Sequence, residues 1–109
     1  PNNVYMYEVE VTIHQLNGYY CLAIGWILFA DLTLLKSRKK LNETFLLLDH
    51  RNSCETLSSE KIVIGSVIDC TNKALYFGIN GQWEKRELGS KTSIFDSEAL
   101  PIPSVVGLG

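Results

Sequence analysis

The stretch Gly65-Ser66-Val67-Ile68-Asp69-Cys70-Thr71-Asn72-Lys73-Ala74-Leu75-Tyr76-Phe77-Gly78-Ile79-Asn80-Gly81 constrains the fold more than any other part of the chain. It reads as two apolar strands, 62–70 and 74–79, joined by the polar turn Thr71-Asn72-Lys73. An Asn-Gly turn then leads into a third segment. A turn that short makes the two strands pair, so the stretch is a β-meander. It holds no reactive group. The meander is a scaffold, and function falls to what the scaffold presents to solvent.

The rest of the chain follows the same pattern. Tyr5-Met6-Tyr7-Glu8-Val9-Glu10-Val11-Thr12-Ile13 alternates with period two, which predicts a half-buried antiparallel strand. Tyr5, Tyr7, Val9 and Val11 are expected to face Val67 and Phe77 in the interior, with Glu8 and Glu10 in solvent. A slip of one residue would bury both glutamates. Asn17-Gly18 marks a turn into a denser apolar strand over 19–27, and together the two strands read as a first hairpin. Residues 28–42 fit either a short helical turn, from the spacing of Leu28, Leu32 and Leu35, or a long loop. Thr44-Phe45-Leu46-Leu47-Leu48-Asp49 reads as a short buried strand, 50–60 as polar and turn-like, and 82–88 as a further strand paired back across Asn80-Gly81. Residues 89–98 form a polar loop with Ile94 and Phe95 as anchors. The closing segment Leu100-Pro101-Ile102-Pro103-Ser104-Val105-Val106 carries prolines that place it at a sheet edge. Short strands with turn signals between them indicate one all-β domain, an antiparallel β-sandwich.

Composition excludes several functions. A chain of 109 residues holds one domain with a modest core. Its net charge of −2 argues against a nucleic-acid partner, whose phosphates need Lys and Arg. The one basic run, Lys36-Ser37-Arg38-Lys39-Lys40, reads as a solvated loop or a contact for an acidic partner. The longest apolar stretch, 19–35, is broken by Asp31 and is short for a bilayer, so no membrane insertion is expected. The cysteines, Cys21, Cys54 and Cys70, are odd in number and lack metal-ligand spacing. All three are expected to be free thiols, Cys21 and Cys70 within apolar strands, in a reducing, cytoplasmic setting.

Little in the chain suggests catalysis. There are two histidines, His14 and His50. Asp49-His50 with Cys54 is the only tempting set, and adjacent side chains on an extended segment diverge. Ser66 lacks the second glycine and following helix of a nucleophile elbow. No spacing suggests a metal, and no Gly-rich loop suggests a phosphate, so neither a metal nor a cofactor is expected. Trp26, within an apolar strand, reads as core. Trp83, among polar residues beside a turn, is either packed under a loop or an exposed recognition aromatic.

Four blocks, in order, resemble the SPRY family. Tyr5-Met6-Tyr7-Glu8-Val9-Glu10-Val11 is similar to its opening strand, and Ala23-Ile24-Gly25-Trp26 to its Val-Gly-Trp strand. Ile64-Gly65-Ser66-Val67-Ile68-Asp69-Cys70 through Phe77-Gly78-Ile79-Asn80-Gly81 resembles its central hairpin. Leu100-Pro101-Ile102-Pro103-Ser104-Val105 looks like its closing segment. The chain departs from the family in Ile27-Leu28-Phe29-Ala30 after Gly-Trp and in a short 49–57 region. It also stops before the family's usual last strand, which implies a segment of a longer multidomain protein.

The resemblance implies a non-catalytic domain that binds a peptide or a neighbouring protein domain through converging loops. By position those loops offer Phe29, Asp31, Leu32, His50, Arg51 and Trp83, although Phe29 and Leu32 could equally pin their own loop down. Ubiquitin-ligase adaptors and ryanodine-receptor-type ion channels carry such domains. Two alternatives stand beside this reading: a structural module docked permanently in a large assembly, and a lectin-like carbohydrate binder using Trp83 with Asn80.

Overall fold

The computed structural model describes residues 3–13, 19–31, 44–51, 60–88, 94–96 and 99–107, without the side chains of Ile13, Tyr19, Tyr20, Cys21, Asp49, His50, Arg51 and Glu60. Leu32, the basic run 36–40 and Cys54 lie outside these residues. The described residues form strands β1 (Val4–Ile13), β2 (Tyr19–Ile27), β3 (Phe45–Arg51), β4 (Glu60–Asp69), β5 (Ala74–Ile79), β6 (Gln82–Lys85) and β7 (Ile102–Gly107). They build two antiparallel sheets, one ordered β1-β4-β5-β6 and the other β3-β2-β7. The fold is all-β. No helix among the described residues is long and apolar enough to cross a membrane.

The meander forms as its turns dictate. Asp69 closes the β4–β5 turn, its Oδ1 accepting from the Thr71 and Asn72 amides at 3.0 Å each and its Oδ2 from Asn72 Nδ2 at 2.8 Å. These bonds, led by the one from the Asn72 side chain, hold the Asp69 carboxyl below its usual range. The β5–β6 turn puts Asn80 at φ 50° and Gly81 at φ 85°, the left-handed pair that an Asn-Gly hairpin favours. Asn80 also reaches across to β4. Its amide donates to Val63 O at 2.8 Å, and its Oδ1 accepts from Val63 N at 2.9 Å.

Both sheets contribute to one core. Trp26 of β2 packs with Ile68, Cys70, Leu75, Phe77 and Ile94, and Tyr5, Tyr7 and Leu46 lie against them. Polar groups tie the sheets together within it. Trp26 Nε1 donates to Ser66 Oγ at 2.8 Å, and Ser66 Oγ donates to Tyr76 O at 3.0 Å, so the buried hydroxyl is satisfied on both sides. The single Tyr7 Oη–H is shared between two carbonyls, Gly25 O at 2.8 Å and Ser104 O at 3.0 Å, and the ring meets Trp26 edge-on at 5.0 Å. Arg86 Nη1 donates to Phe45 O at 3.0 Å, and its guanidinium lies 4.9 Å from the Phe77 ring centre. A smaller cluster, Ala23, Ile27 and Phe45 with Ile102 and Val106, involves alternate residues of the three-stranded sheet.

Several expectations need correction. β1 and β2 do not form a hairpin: β1 pairs with β4, while β2 lies between β3 and β7. Hairpin partners share their two faces. Ala23, Ile24, Gly25, Trp26 and Ile27 are all buried, whereas β1 keeps Glu8 and Glu10 in solvent, so the two strands need different surroundings. Val67 does not face the core beside Tyr5 and Tyr7. It is in register with Met6 and Tyr76 on the opposite face, because β4 is apolar on both sides and its phase cannot be read from composition. His50, Arg51 and Glu60 belong to strands rather than to a turn, and Cys70 sits just past the end of β4. Cys70 is a free, buried thiol, and burial pushes its pKa up. Residues 29–31 form a single tight 3₁₀ turn, in which the Asp31 amide donates to Leu28 O at 2.9 Å. The alternation of β1 and the edge position of β7, with Pro103, follow the sequence reading.

Candidate functional site

The register of the four-stranded sheet sets out its outward face row by row. Met6, Val67, Tyr76 and Lys85 form one row, and Glu8, Gly65, Gly78 and Trp83 form the next. Val4 and Val63 lie on the same face. The two-residue turn at Asn80-Gly81 pairs Ile79 with Gln82, which puts Trp83 opposite Gly78.

Two glycines make the bed for the indole. A Cβ built on Gly78 would lie 2.5 Å from Trp83 Cδ2 and 2.7 Å from Cε2. One on Gly65 would lie 2.7 Å from Cη2. The ring therefore extends across β5 to β4, and any side chain at either position would displace it. This is the cross-strand covering of glycine by an aromatic neighbour, and it fixes the indole while leaving much of it open. Trp83 remains 41% exposed and shares this face with Met6 at 55% and Val4 at 58%. Apolar side chains gathered on one open face mark an interaction surface more strongly than the same residues scattered singly.

The charges on this face are matched only in part: Lys85, in the Met6 row, has no ion pair among the described residues. Glu10 pairs with Lys61 at 3.7 Å. Glu8 has no ion pair among the described residues, and its Cγ comes within 3.2 Å of the Gly65 Cβ position that Trp83 also crowds. A carboxylate-bearing side chain and an indole thus meet over one glycine.

The residues expected to converge on a binding site are spread out. Phe29, 73% exposed, and Asp31, partly exposed, follow the end of β2. His50 and Arg51 pair with Tyr20 and Tyr19 at its beginning. At about 3.3 Å per residue, β2 separates the two groups by roughly 25 Å. Trp83 lies on the outward face of the other sheet, and Leu32 lies outside the described residues. Of the residues on this face the sequence named Trp83 as a candidate contact, whereas Met6, Glu8, Val67, Tyr76 and the two glycines join it only through the sheet register. The signal was available, since a two-residue Asn-Gly turn already sets Trp83 against Gly78.

Other features offer less. A cleft of about 200 Å³ at the β6 edge is lined by Leu46, Phe77, Ile79, Gln82, Glu84, Lys85 and Arg86. That is smaller than an ordinary small-molecule site. No cluster among the described residues could hold a metal ion. Compared with protein-family models, curated proteins and solved structures, the chain matches none.

Proposed function

We propose that this chain is a non-catalytic protein-interaction domain, a β-sandwich of the SPRY type, that binds a peptide or a neighbouring protein segment. The contact is the outward face of β1-β4-β5-β6 centred on Trp83, rather than the loops. One observation carries this reading: a half-exposed indole, held in place by Gly65 and Gly78, shares the outward face with exposed Met6 and with Val67 and Tyr76 of the neighbouring row. A fixed aromatic with apolar neighbours loses little entropy on binding, the property of an interface hot spot. The sandwich arrangement is supported by the shared core and by the hydrogen bonds from Tyr7, Trp26 and Arg86 between the sheets. The non-catalytic reading is supported by Ser66, whose hydroxyl is fully buried and engaged on both sides. The free Cys70 thiol accords with a cytoplasmic protein. The lectin alternative has weaker support, because Asn80 Oδ1 already accepts from Val63 N.

The test is selection of random dodecapeptides on the purified chain, with recovered peptides titrated by fluorescence polarisation. Trp83→Leu and Met6→Glu should each weaken binding, the former by about 2 kcal/mol or more. Thermal melts of both variants identify the temperature range in which they are folded. Peptides that bind both variants as tightly as the original chain would move the site elsewhere.

A further inference from the structure

We infer that the residue this face selects in its partner is an arginine, its guanidinium stacked on Trp83 and paired with Glu8. The inference rests on the reading of this face as a protein-binding surface and adds the chemistry of its ligand. Trp83 lies across Gly78 and Gly65. The side of the indole turned toward the sheet is occupied, and the solvent side offers the π surface that attracts a cation. Glu8 supplies the opposite charge. It stands in the same row as Trp83, approaches the same glycine and has no ion pair among the described residues, whereas Glu10 one row away is matched by Lys61.

A planar guanidinium suits this arrangement better than an ammonium ion. It stacks flat on an indole and directs its forked N–H groups at a carboxylate in the same plane, while a lysine offers a compact charge that stays more strongly hydrated. Met6, Val67 and Tyr76 in the neighbouring row provide apolar surface for the arginine stem and an adjoining aliphatic residue. The occupant is therefore an extended protein segment with arginine next to an apolar side chain.

The test uses the strongest peptide recovered on the purified chain, synthesised also with each arginine replaced by citrulline, which keeps the shape and loses the charge. Citrulline at one position should weaken binding tenfold or more. The same replacement should matter less than threefold against Glu8→Gln, an exposed and structurally mild variant. Peptides that depend on Trp83 but bind equally well with citrulline would overturn the arginine and leave the binding face standing. Failure to recover any Trp83-dependent peptide would remove both. A Trp83 indole signal that shifts with protein concentration alone would seat a second copy of the chain on this face and likewise overturn the arginine of a separate partner.

Discussion

Replacing Gly78 with alanine should change the sign of its effect on stability according to whether Trp83 is present. With Trp83 in place, the new Cβ would lie 2.5 Å from Cδ2, where ordinary contact begins near 3.4 Å, so the ring must lift. A fully buried tryptophan covers roughly 150–250 Å². At 41% exposure, Trp83 buries about three-fifths of that, worth at most ~2–4 kcal/mol. Lifting a ring by about 1 Å forfeits a quarter to a half of its contact energy, or ~0.5–2 kcal/mol. Against this, alanine in place of glycine restricts the unfolded chain and gains about 0.5–1 kcal/mol. The net result is a loss of up to ~1.5 kcal/mol. In a Trp83→Ala background the three ring atoms nearest this Cβ are gone, and Gly78→Ala should stabilise by about 0.5–1 kcal/mol. Urea denaturation of the four proteins closes the cycle, with the fluorescence of buried Trp26 as the common probe, and the coupling should be about 0.5–2 kcal/mol. An effect of the same sign and size in both backgrounds would refute the account of how the indole is held.

Two further outcomes concern the core. Ser66→Ala leaves Trp26 Nε1–H without its acceptor inside the core and should cost about 1–3 kcal/mol, read from the shift in urea midpoint. Burial pushes the Tyr7 pKa up to about 12 from its ordinary 10.0. The folded state therefore favours the protonated phenol. That stabilisation is complete below pH 10 and lost as pH rises toward 12. After allowance for solvent screening of a half-buried ring it is worth about 1–2 kcal/mol. Denaturation from pH 8 to 11 should show this decline in the original chain and a flatter profile in Tyr7→Phe.

The sequence revealed strand existence and turn chemistry better than strand partnership. Alternation in β1 is a local property that burial enforces residue by residue, and the Asn80-Gly81 turn sets its own register, so both could be read directly. Which strands pair depends on surfaces distant in the chain. The Asn17-Gly18 signal suggested a hairpin, yet β2 needed burial on both sides and entered the other sheet. The phase of β4 was hidden for a related reason. Val63 and Val67 are as apolar as Ile64 and Ile68, and only pairing with β1 and β5 shows which of them face outward. The candidate face followed the same rule. Trp83 was visible as an aromatic beside a turn, but its neighbours come from β1, β4 and β5 and assemble only once the sheet order is known. The positions of the expected loops were likewise not legible, since 29–31 and 50–51 lie at opposite ends of β2.

The most direct test of the account is to map a selected peptide onto the chain by two-dimensional NMR of backbone amides, methionine methyls and indole N–H groups. The two tryptophans serve as opposing reporters, since Trp26 is 2% exposed with its Nε1–H bonded to Ser66, while Trp83 lies open on the outward face. The account predicts that the peptide shifts the Trp83 indole N–H, the Met6 methyl and the amides of Glu8, Val67 and Tyr76, with the Trp26 indole N–H unmoved. Shifts confined to residues 29–31 and 50–51, with Trp83 and Met6 silent, would contradict it.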